Sequence, residues 1–530
     1  MSPDLLGLIE ARRQTLQLLL DSQKTAQQRN RLGQFATPAA LALDIARYID
    51  TLIDPERQDL CFADPSIGSG SFYSAALATF SERLQQAIGI ELDPAFVEAA
   101  TDLWHDCGLD VRKGDFTRLM AGTPLPPRPN LVLANPPYVR HHHLDTQDKE
   151  RLQGLVRQLT GIEVSGLAGL YIYFVLLATA WMTPDGVAAW LIPTEFMEVN
   201  YGAALRAFLT EQVTLLRVHR FDPADVQFAD ALVSSAVVIF RKTAPVADHV
   251  VQFSHGGTLS EPASMETITL AALRSARKWK WGARTQASLM ADQAASSGPI
   301  LGDLFQIQRG IATGCNKFFV LERQDAHRLC LPENFLRPIL PSPRQVKNLI
   351  IEAHPDGYPR IEPALCLIDC ILPEHVVQIE YPTLWRYFQS ADEAGIRQGY
   401  LISKRSPWYR QEQRATPPFL CTYMGRSTAE RSPFRFIWNR SQAIGTNLYL
   451  LLYPRPALAA MLARHPDRLP VLHELLGQVT GHELRSEGRV YGGGLNKIEP
   501  SELSRISATA LVARWPELGP QVSRQSELFA

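Results

Sequence analysis

Short apolar segments recur along the first 240 residues, separated by stretches whose apolar positions fall at helical spacing. Leu60-Cys-Phe-Ala63, Ala87-Ile-Gly-Ile90, Leu109-Asp-Val111, Leu131-Val-Leu-Ala134, Val187-Ala-Ala-Trp-Leu-Ile192 and Ser235-Ala-Val-Val-Ile-Phe240 are the predicted strands. Most are bounded by Gly, Asp, Asn or Pro, and helices such as Ala95–Trp104 and Tyr201–Leu209 fit between them. Alternating strand and helix predicts an α/β, Rossmann-like doubly wound domain. In such a sheet the ligand lies beyond the carboxyl ends of the strands, so the residues just after each strand carry the most information. Upstream, Leu5, Leu8, Ile9, Leu16 and Leu19 predict a helical extension over residues 1–30.

The stretch from Val164 to Pro184 carries no charge and is long enough to suggest a membrane span. Gly166, Gly169 and Pro184 shorten its helical part, and basic flanks are lacking, so it predicts a buried helix. The alternation fades after Lys242. We expect residues 31–243 to form the first domain, residues 244–299 a linker running into a second, and residues 300–530 a mixed α+β domain. The linker contains Arg277-Lys-Trp-Lys-Trp281, and the last region has many Pro, Arg and aromatic residues without βα repetition.

Composition narrows the class. The 530 residues allow two to four domains at roughly 150 residues each. With 46% hydrophobic and 20% charged residues the chain is an ordinary globular one, which excludes disordered, collagen-like and coiled-coil classes. The net charge of −1 hides a division: residues 1–243 hold 21 basic and 28 acidic side chains, residues 244–530 hold 32 and 26. Within 401–450 there are eight basic residues against two acidic ones. A basic second half suits an anionic partner. Seven cysteines without regular spacing suit reduced thiols in the cytosol, and the N-terminus lacks the basic start and apolar run of a secretory signal.

The strand ends hold the candidate chemistry. The first reads Asp64-Pro-Ser-Ile-Gly-Ser-Gly-Ser-Phe72, where Gly68 and Gly70 allow a sharp turn and a close approach to a ligand. No Gly-Lys-Ser/Thr follows, so this is not a nucleotide-triphosphate loop. Asp64 at its mouth would repel a pyrophosphate but suits an ammonium group. The second strand ends at Glu91, placed to take both hydroxyls of a ribose, unless it is merely solvated beside a helix cap at Asp93. After the third strand comes Asp115, whose carboxylate could accept from an adenine amino group. The fourth ends in Asn135-Pro-Pro-Tyr138. There the Asn135 side-chain oxygen and the Pro136 carbonyl can bind the two hydrogens of a planar amino group, and Tyr138 offers a stacking face.

Gly33-Gln-Phe-Ala-Thr-Pro38, the Asp64–Phe72 series, Glu91, Asp115 and Asn135-Pro-Pro-Tyr138 together resemble the S-adenosylmethionine-dependent amino-methyltransferases. The motif order is similar to that of the γ-class DNA adenine-N6 methyltransferases, the group of the TaqI and Eco57I enzymes. Residues 33–242 carry that resemblance. The C-terminal half looks more loosely like a TaqI-type target-recognition domain, through Gly310–Phe319, Lys404–Tyr409, Thr446-Asn447 and Gly492–Pro500. Residues 1–30 carry none.

The resemblance implies that Thr37 and its neighbours in Gln34–Pro38 close over the methionine part of the cofactor. It implies that Asp64 with Gly68 and Gly70 holds the amino-acid end, Glu91 the ribose and Asp115 the adenine ring. Asn135 and Pro136 would accept from the target amine, with Tyr138 stacked on the extruded base. A further aromatic usually precedes the last strand, and Phe228 is the candidate, with Phe221 also open. Gly169-Leu-Tyr171 departs from a position where the family often has Asp or Asn. Arg405, Arg410, Arg426, Arg435 and Arg440, interleaved with Trp408 and other aromatics, suit contacts to DNA phosphates and base edges.

The implied reaction moves a methyl group from S-adenosylmethionine to N6 of a flipped-out adenine in double-stranded DNA, leaving S-adenosylhomocysteine and needing no metal. It implies a cytoplasmic bacterial enzyme, nucleoid-associated when bound to DNA, that protects its site from a separate restriction endonuclease. A cytosine-C5 reaction would need a nucleophilic Cys, typically after Pro, and no cysteine here follows one. The competing expectations are an RNA or protein-glutamine amino-methyltransferase and a non-catalytic DNA-binding subunit. His141-His-His143 suits an exposed loop rather than a closed zinc site, and Cys366 and Cys370 suit packing.

Overall fold

A computed structural model describes residues 2–122, 127–222, 234–276, 278–279, 298–426, 434–479, 483–484, 487–491 and 495–519. The chain divides into two compact units, residues 1–291 with 491–493, and residues 292–490 with 494–530.

The first unit opens with three helices, α1 (Pro3–Ser22), α2 (Ala26–Leu32) and α3 (Ala39–Asp50). Strand and helix then alternate: β1 (Leu60–Asp64), α4 (Ser71–Phe80), β2 (Leu84–Glu91), α5 (Pro94–Trp104), β3 (Leu109–Lys113), α6 (Phe116–Leu119) and β4 (Leu131–Ala134). Next come α7 (Thr146–Thr160), α8 (Leu170–Trp181), β5 (Val187–Pro193), α9 (Ala203–Glu211), β6 (Thr214–Arg220) and β7 (Ser235–Arg241). The unit continues through β8 (Val250–Gly257), β9 (Pro262–Thr269) and α10 (Leu270–Ser275).

The strands form one nine-stranded sheet in the order β3-β2-β1-β4-β5-β7-β6-β8-β9. β1 to β5 are mutually parallel, and β7 runs antiparallel between β5 and β6. Side chains alternate between two cores. From β4, Val132 and Ala134 enter the core of α7 and α8, while Leu131 and Leu133 enter the core of α3 and α4. From β5, Ala188, Trp190 and Ile192 join the first, and Val187, Ala189 and Leu191 the second. A strand covered on both faces must be apolar at every position, hence the unbroken apolar runs in the sequence.

The uncharged stretch forms α8, buried nearly all round between neighbouring elements. Among the described residues no helix is long and apolar enough to cross a membrane. Residues 244–276 differ from the expected linker: β8 pairs with β6 and β9 with β8, so the sheet extends past Lys242. Val251, Phe253, Ile268, Leu270 and Leu273 supply its core side chains from this segment. The βα alternation ends at β7 because these two strands join the sheet directly, without crossover helices.

The second unit holds β10 (Phe305–Arg309), β11 (Val320–Glu322), β12 (Leu336–Ile339), β13 (Ile350–Ile351), β14 (Leu365–Ile368), β15 (Phe419–Thr422), β16 (Met424–Arg426), β17 (Phe436–Asn439), β18 (Tyr449–Pro454), all but the last residue of β19 (Arg489–Tyr491), and β20 (Leu495–Lys497). They form a five-stranded sheet, β10-β18-β15-β17-β13, and two three-stranded sheets, β11-β14-β12 and β16-β20-β19. Alternate residues again divide: Leu450 and Leu452 of β18 enter one core, Tyr449 and Leu451 another. A further core gathers Val377 of helix Glu374–Glu380, aromatics of helix Pro382–Glu393, and Trp408 and Tyr409 of a following loop.

Candidate active site

Because β1, β2, β3 and β4 are parallel neighbours, the residues after them converge on one side of the sheet. Glu91 ends β2, Asp115 caps α6 just after β3, and Asn135 follows β4. All three line one cavity of ≈590 Å³, together with Pro65, Ser66 and Gly68 of the loop after β1. Ile90, Phe116, Leu152 and Phe174 give it an apolar wall.

The carboxylates are held rigidly. Glu91 is not the solvated side chain that a bare cap at Asp93 would leave. Its Oε2 accepts from Gly68 N at 3.0 Å, and its Oε1 from Leu92 N and Asp93 N at 2.8 Å each. Burial raises its pKa even against these donors. Asp93 caps α5 as well, accepting from Ala95 N. Asp64 lies behind Ser66, whose N and Oγ donate to Asp64 Oδ1 at 2.9 and 3.3 Å. Burial, with the charge of Glu91 adding to it, pushes the Asp64 carboxyl up to about 8. Asp115 Oδ1 accepts from Thr117 N and Oγ1 at 2.9 and 2.7 Å. Gly70 is in the left-handed region at φ 90°, and a Cβ there would lie 2.2 Å from Trp104 Nε1.

Asn135 is the most telling side chain. Its Nδ2 donates to the Phe35 carbonyl at 2.8 Å and to Thr37 Oγ1 at 3.1 Å. Both amide hydrogens are thereby committed, while the buried Oδ1 has no hydrogen-bond partner among the described residues. Ser66 Oγ donates to the Asn135 carbonyl at 3.0 Å, tying the loop after β1 to this one. Helix α2 stops at Gly33, φ 68°, and the chain then runs against the Asn135–Tyr138 loop, with Tyr138 N donating to the Gly33 carbonyl. A Cβ at Gly33 would meet Tyr138 N at 2.4 Å, so only glycine permits this contact. Gln34, Phe35 and Ala36 line the cavity, whereas Thr37 stands behind them and acts through Asn135.

Several residues that sequence reasoning passed over line the same cavity: Gln17 and Asp21 of α1, Arg31 of α2 and Arg151 of α7; His143, read from the sequence as part of an exposed loop, lines it too. Arg151 donates to the carbonyl and hydroxyl of Thr117, the residue bonded to Asp115. The signal for α1 was only its amphipathic spacing, which marks a buried face without saying against what. His141–His143 form a short turn, and all seven cysteines are free. Among the described residues no cluster of three or more His, Cys, Asp or Glu is arranged to hold a metal ion.

Other expectations are corrected. Tyr138 does not line the cavity: it is 7% exposed, its hydroxyl donates to the Leu191 carbonyl at 3.0 Å, and its ring leans on Phe35 with centroids 5.4 Å apart. The Asn-Pro-Pro backbone turns it into the core of α3 and α4 instead of offering a free face. Phe221 is buried in that core too, and Phe228 lies outside the described residues. At the departure from the family pattern, Gly169 caps α8 and Leu170 N donates to the Val139 carbonyl at 2.9 Å.

In the second unit, Arg405 donates to the carbonyls of Thr313 and Ala312 at 2.8 and 2.6 Å, so its guanidinium holds a loop. Arg435 does the same for Val346 and Pro343. Trp408 is buried among Phe318, Phe319, Phe388 and Tyr409. Trp408 is an interior residue, and Arg405 and Arg435 are half-buried with their guanidinium groups committed to loop carbonyls. Arg440 is exposed but paired with Glu352 at 2.6 Å. Arg410 and Arg426 are exposed.

Comparison with known proteins agrees with this geometry. Residues 130–227 match the family described as Eco57I restriction-modification methylase, and residues 278–527 the family described as Type II methyltransferase M.Eco57I, C-terminal domain. The chain is 28% identical over 493 residues to Type II methyltransferase M.XamI of Xanthomonas campestris pv. amaranthicola, covering 91% of this chain and 86% of that protein. It is 23% identical over 498 residues to Type II methyltransferase M.AccI of Acinetobacter calcoaceticus, covering 90% and 85%. Among solved structures, the type IIL restriction-modification enzyme MmeI in complex with DNA is similar in fold, with a TM-score of 0.55 and 12% identity over 93% of this chain and 69% of that one. With the motif residues gathered at the ends of parallel strands and both family matches in sequence order, this chain is a DNA methyltransferase of the Eco57I class of type II restriction-modification systems.

Proposed function

We propose that the chain methylates N6 of an adenine flipped out of duplex DNA, using S-adenosylmethionine. The observation that carries this reading is the buried Oδ1 of Asn135, without a partner among the described residues, whose amide is fixed by two donated hydrogen bonds. A planar exocyclic amine has the donor that this acceptor lacks. The cavity suits the cofactor: Glu91 and Asp115 give it acidic points, and Phe116, Phe174 and Ile90 give it an apolar wall for a flat ring.

Glu91 holds the ribose hydroxyls, Asp115 the adenine amino group, and Asp64 with the Gly68–Gly70 turn the amino-acid end. When bound, the cofactor supplies a methyl on a sulfonium sulfur, already activated for displacement. Asn135 Oδ1 and the Pro136 carbonyl accept the two hydrogens of the target amine. This draws the nitrogen lone pair out of conjugation and favours the transition state over the ground state. Flipping the base costs about a few kcal/mol of unstacking, which contacts from the second unit offset. Arg410 and Arg426 belong to those contacts. The reaction needs no metal. The enzyme acts in the bacterial cytoplasm, nucleoid-associated when bound to DNA, and protects its site from a separate restriction endonuclease.

The test is transfer of labelled methyl from S-adenosylmethionine to unmethylated duplex DNA, with tRNA and a protein extract as parallel acceptors. Label recovered as N6-methyladenine in DNA is expected. Label on cytosine, in RNA or in protein overturns the reading.

A further inference from the structure

Arg13 of α1 is 2% exposed, far from any motif in sequence, and such a charge is costly to bury unless fully paired. Its guanidinium is paired on every side. Nε donates to Glu10 Oε2 at 2.8 Å and one terminal nitrogen to Glu10 Oε1 at 2.7 Å, a two-point clamp. The other terminal nitrogen donates to Ser69 Oγ at 2.9 Å, a partner 56 residues away. Ser69 Oγ in turn donates to Gln17 Oε1 at 2.8 Å, and Gln17 Nε2 to Asp21 Oδ1 at 3.0 Å. Gln17 and Asp21 both line the cavity.

Ser69 is the middle residue of the turn between Gly68 and Gly70. Its carbonyl accepts from Trp104 Nε1 at 2.9 Å, and Gly68 N donates to Glu91. Two flanking glycines leave this turn the greatest backbone freedom in the site, since glycine restricts φ least. Beside those backbone bonds, the α1 side chains restrict that freedom further by gripping the one side chain the turn has.

We infer that Arg13 is a positioning residue for cofactor binding, holding Ser69 and so setting the Gly68–Gly70 turn against Glu91. The inference rests on the cofactor site proposed above. Helix α1 is thus a working part of that site, although it precedes every motif. Arg13 acts on the free energy of forming the pocket, not on methyl transfer, so its loss raises the KM for the cofactor and leaves turnover at saturation alone.

The test uses the full chain and measures S-adenosylmethionine binding by calorimetry together with steady-state methylation kinetics. Arg13→Met and Ser69→Ala are each expected to raise Kd and cofactor KM by about tenfold, with kcat at saturating cofactor within about twofold of the parent. The double variant is expected to lose less than the sum of the two singles, because each single already removes the Arg13–Ser69 bond that they share. Ser69→Ala keeps the experiment decisive if Arg13→Met fails to fold. Unchanged cofactor affinity in folded variants, additive losses, or an equal fall in kcat overturns the role of Arg13. Failure of the parent protein to bind S-adenosylmethionine overturns the site itself.

Discussion

The two units use the same residue types in opposite ways. In the first, the chemistry-bearing side chains sit where consecutive parallel strands end, and the topology of the sheet gathers them. Glu91, Asp115 and Asn135 are far apart in sequence, yet line one cavity because β2, β3 and β4 point the same way. In the second, the aromatics that read as a nucleic-acid surface are largely buried, and two of the arginines among them are half-buried against loop carbonyls. Arg405 and Arg435 satisfy loop carbonyls about 90 residues away, and Trp408 fills a core. A regular sheet pairs its own backbone, so its strand ends are free for function. A unit of short strands and long connections leaves carbonyls unpaired, and arginine, with five donors, is the side chain that can cap several at once.

That contrast can be broken experimentally. The largest expected effect is on stability, from Trp408→Ala, at about 3–5 kcal/mol for emptying an aromatic core position. Denaturant unfolding monitored in the full chain measures it, and a loss below about 1 kcal/mol would return Trp408 to the surface. Next comes Asn135→Ala, expected to slow methyl transfer by about 10²–10³-fold or more while cofactor binding stays nearly intact. Turnover near that of the parent would remove Asn135 from the reaction.

Arginines in the second unit should separate into two kinds. Arg405→Ala is expected to cost about 1–3 kcal/mol of stability by orphaning buried carbonyls. Arg410→Ala and Arg426→Ala should leave stability within about 0.5 kcal/mol, weaken DNA binding, and each reduce the slope of log affinity against log salt by about 1. If all three behave alike, the division drawn from their hydrogen bonds fails.

The smallest effect concerns pH. With its carboxyl pushed up to about 8, Asp64 is mostly protonated at neutral pH in the folded protein and ionised in the unfolded chain. The native state therefore binds more protons, so this group lowers stability as pH rises from the ordinary carboxylate range to about 8. A cationic cofactor favours the ionised form, so affinity should rise with pH by at most about tenfold per unit and level off above about 8. Asp64→Asn should flatten that dependence in a titration of S-adenosylmethionine; parallel slopes would take Asp64 out of cofactor binding.

Much of the first unit was legible along the chain. Strands buried on both faces write themselves as apolar runs, and Leu131–Ala134 and Val187–Ile192 are strands at nearly those positions. The uncharged stretch is α8, stopped where Gly169 and Pro184 said it would be. Residues 250–269 were missed because direct strand-to-strand pairing carries no helix to announce it. Arg13 was missed because nothing local distinguishes an arginine facing solvent from one facing a serine 56 residues on.

The sequence by itself determined the strand-helix order, and with it which residues stand at strand ends, because burial pattern and turn chemistry are local properties of the chain. Only the tertiary structure decided which polar atoms were left without partners and which charges were consumed inside. Asn135 keeps a buried acceptor open because the Phe35 carbonyl and Thr37, brought back by the turn at Gly33, take its hydrogens. Tyr138, three residues on, is closed off by the Leu191 carbonyl on another strand. Hydrogen-bond satisfaction is a property of neighbours in space, and these neighbours come from segments the local pattern does not connect.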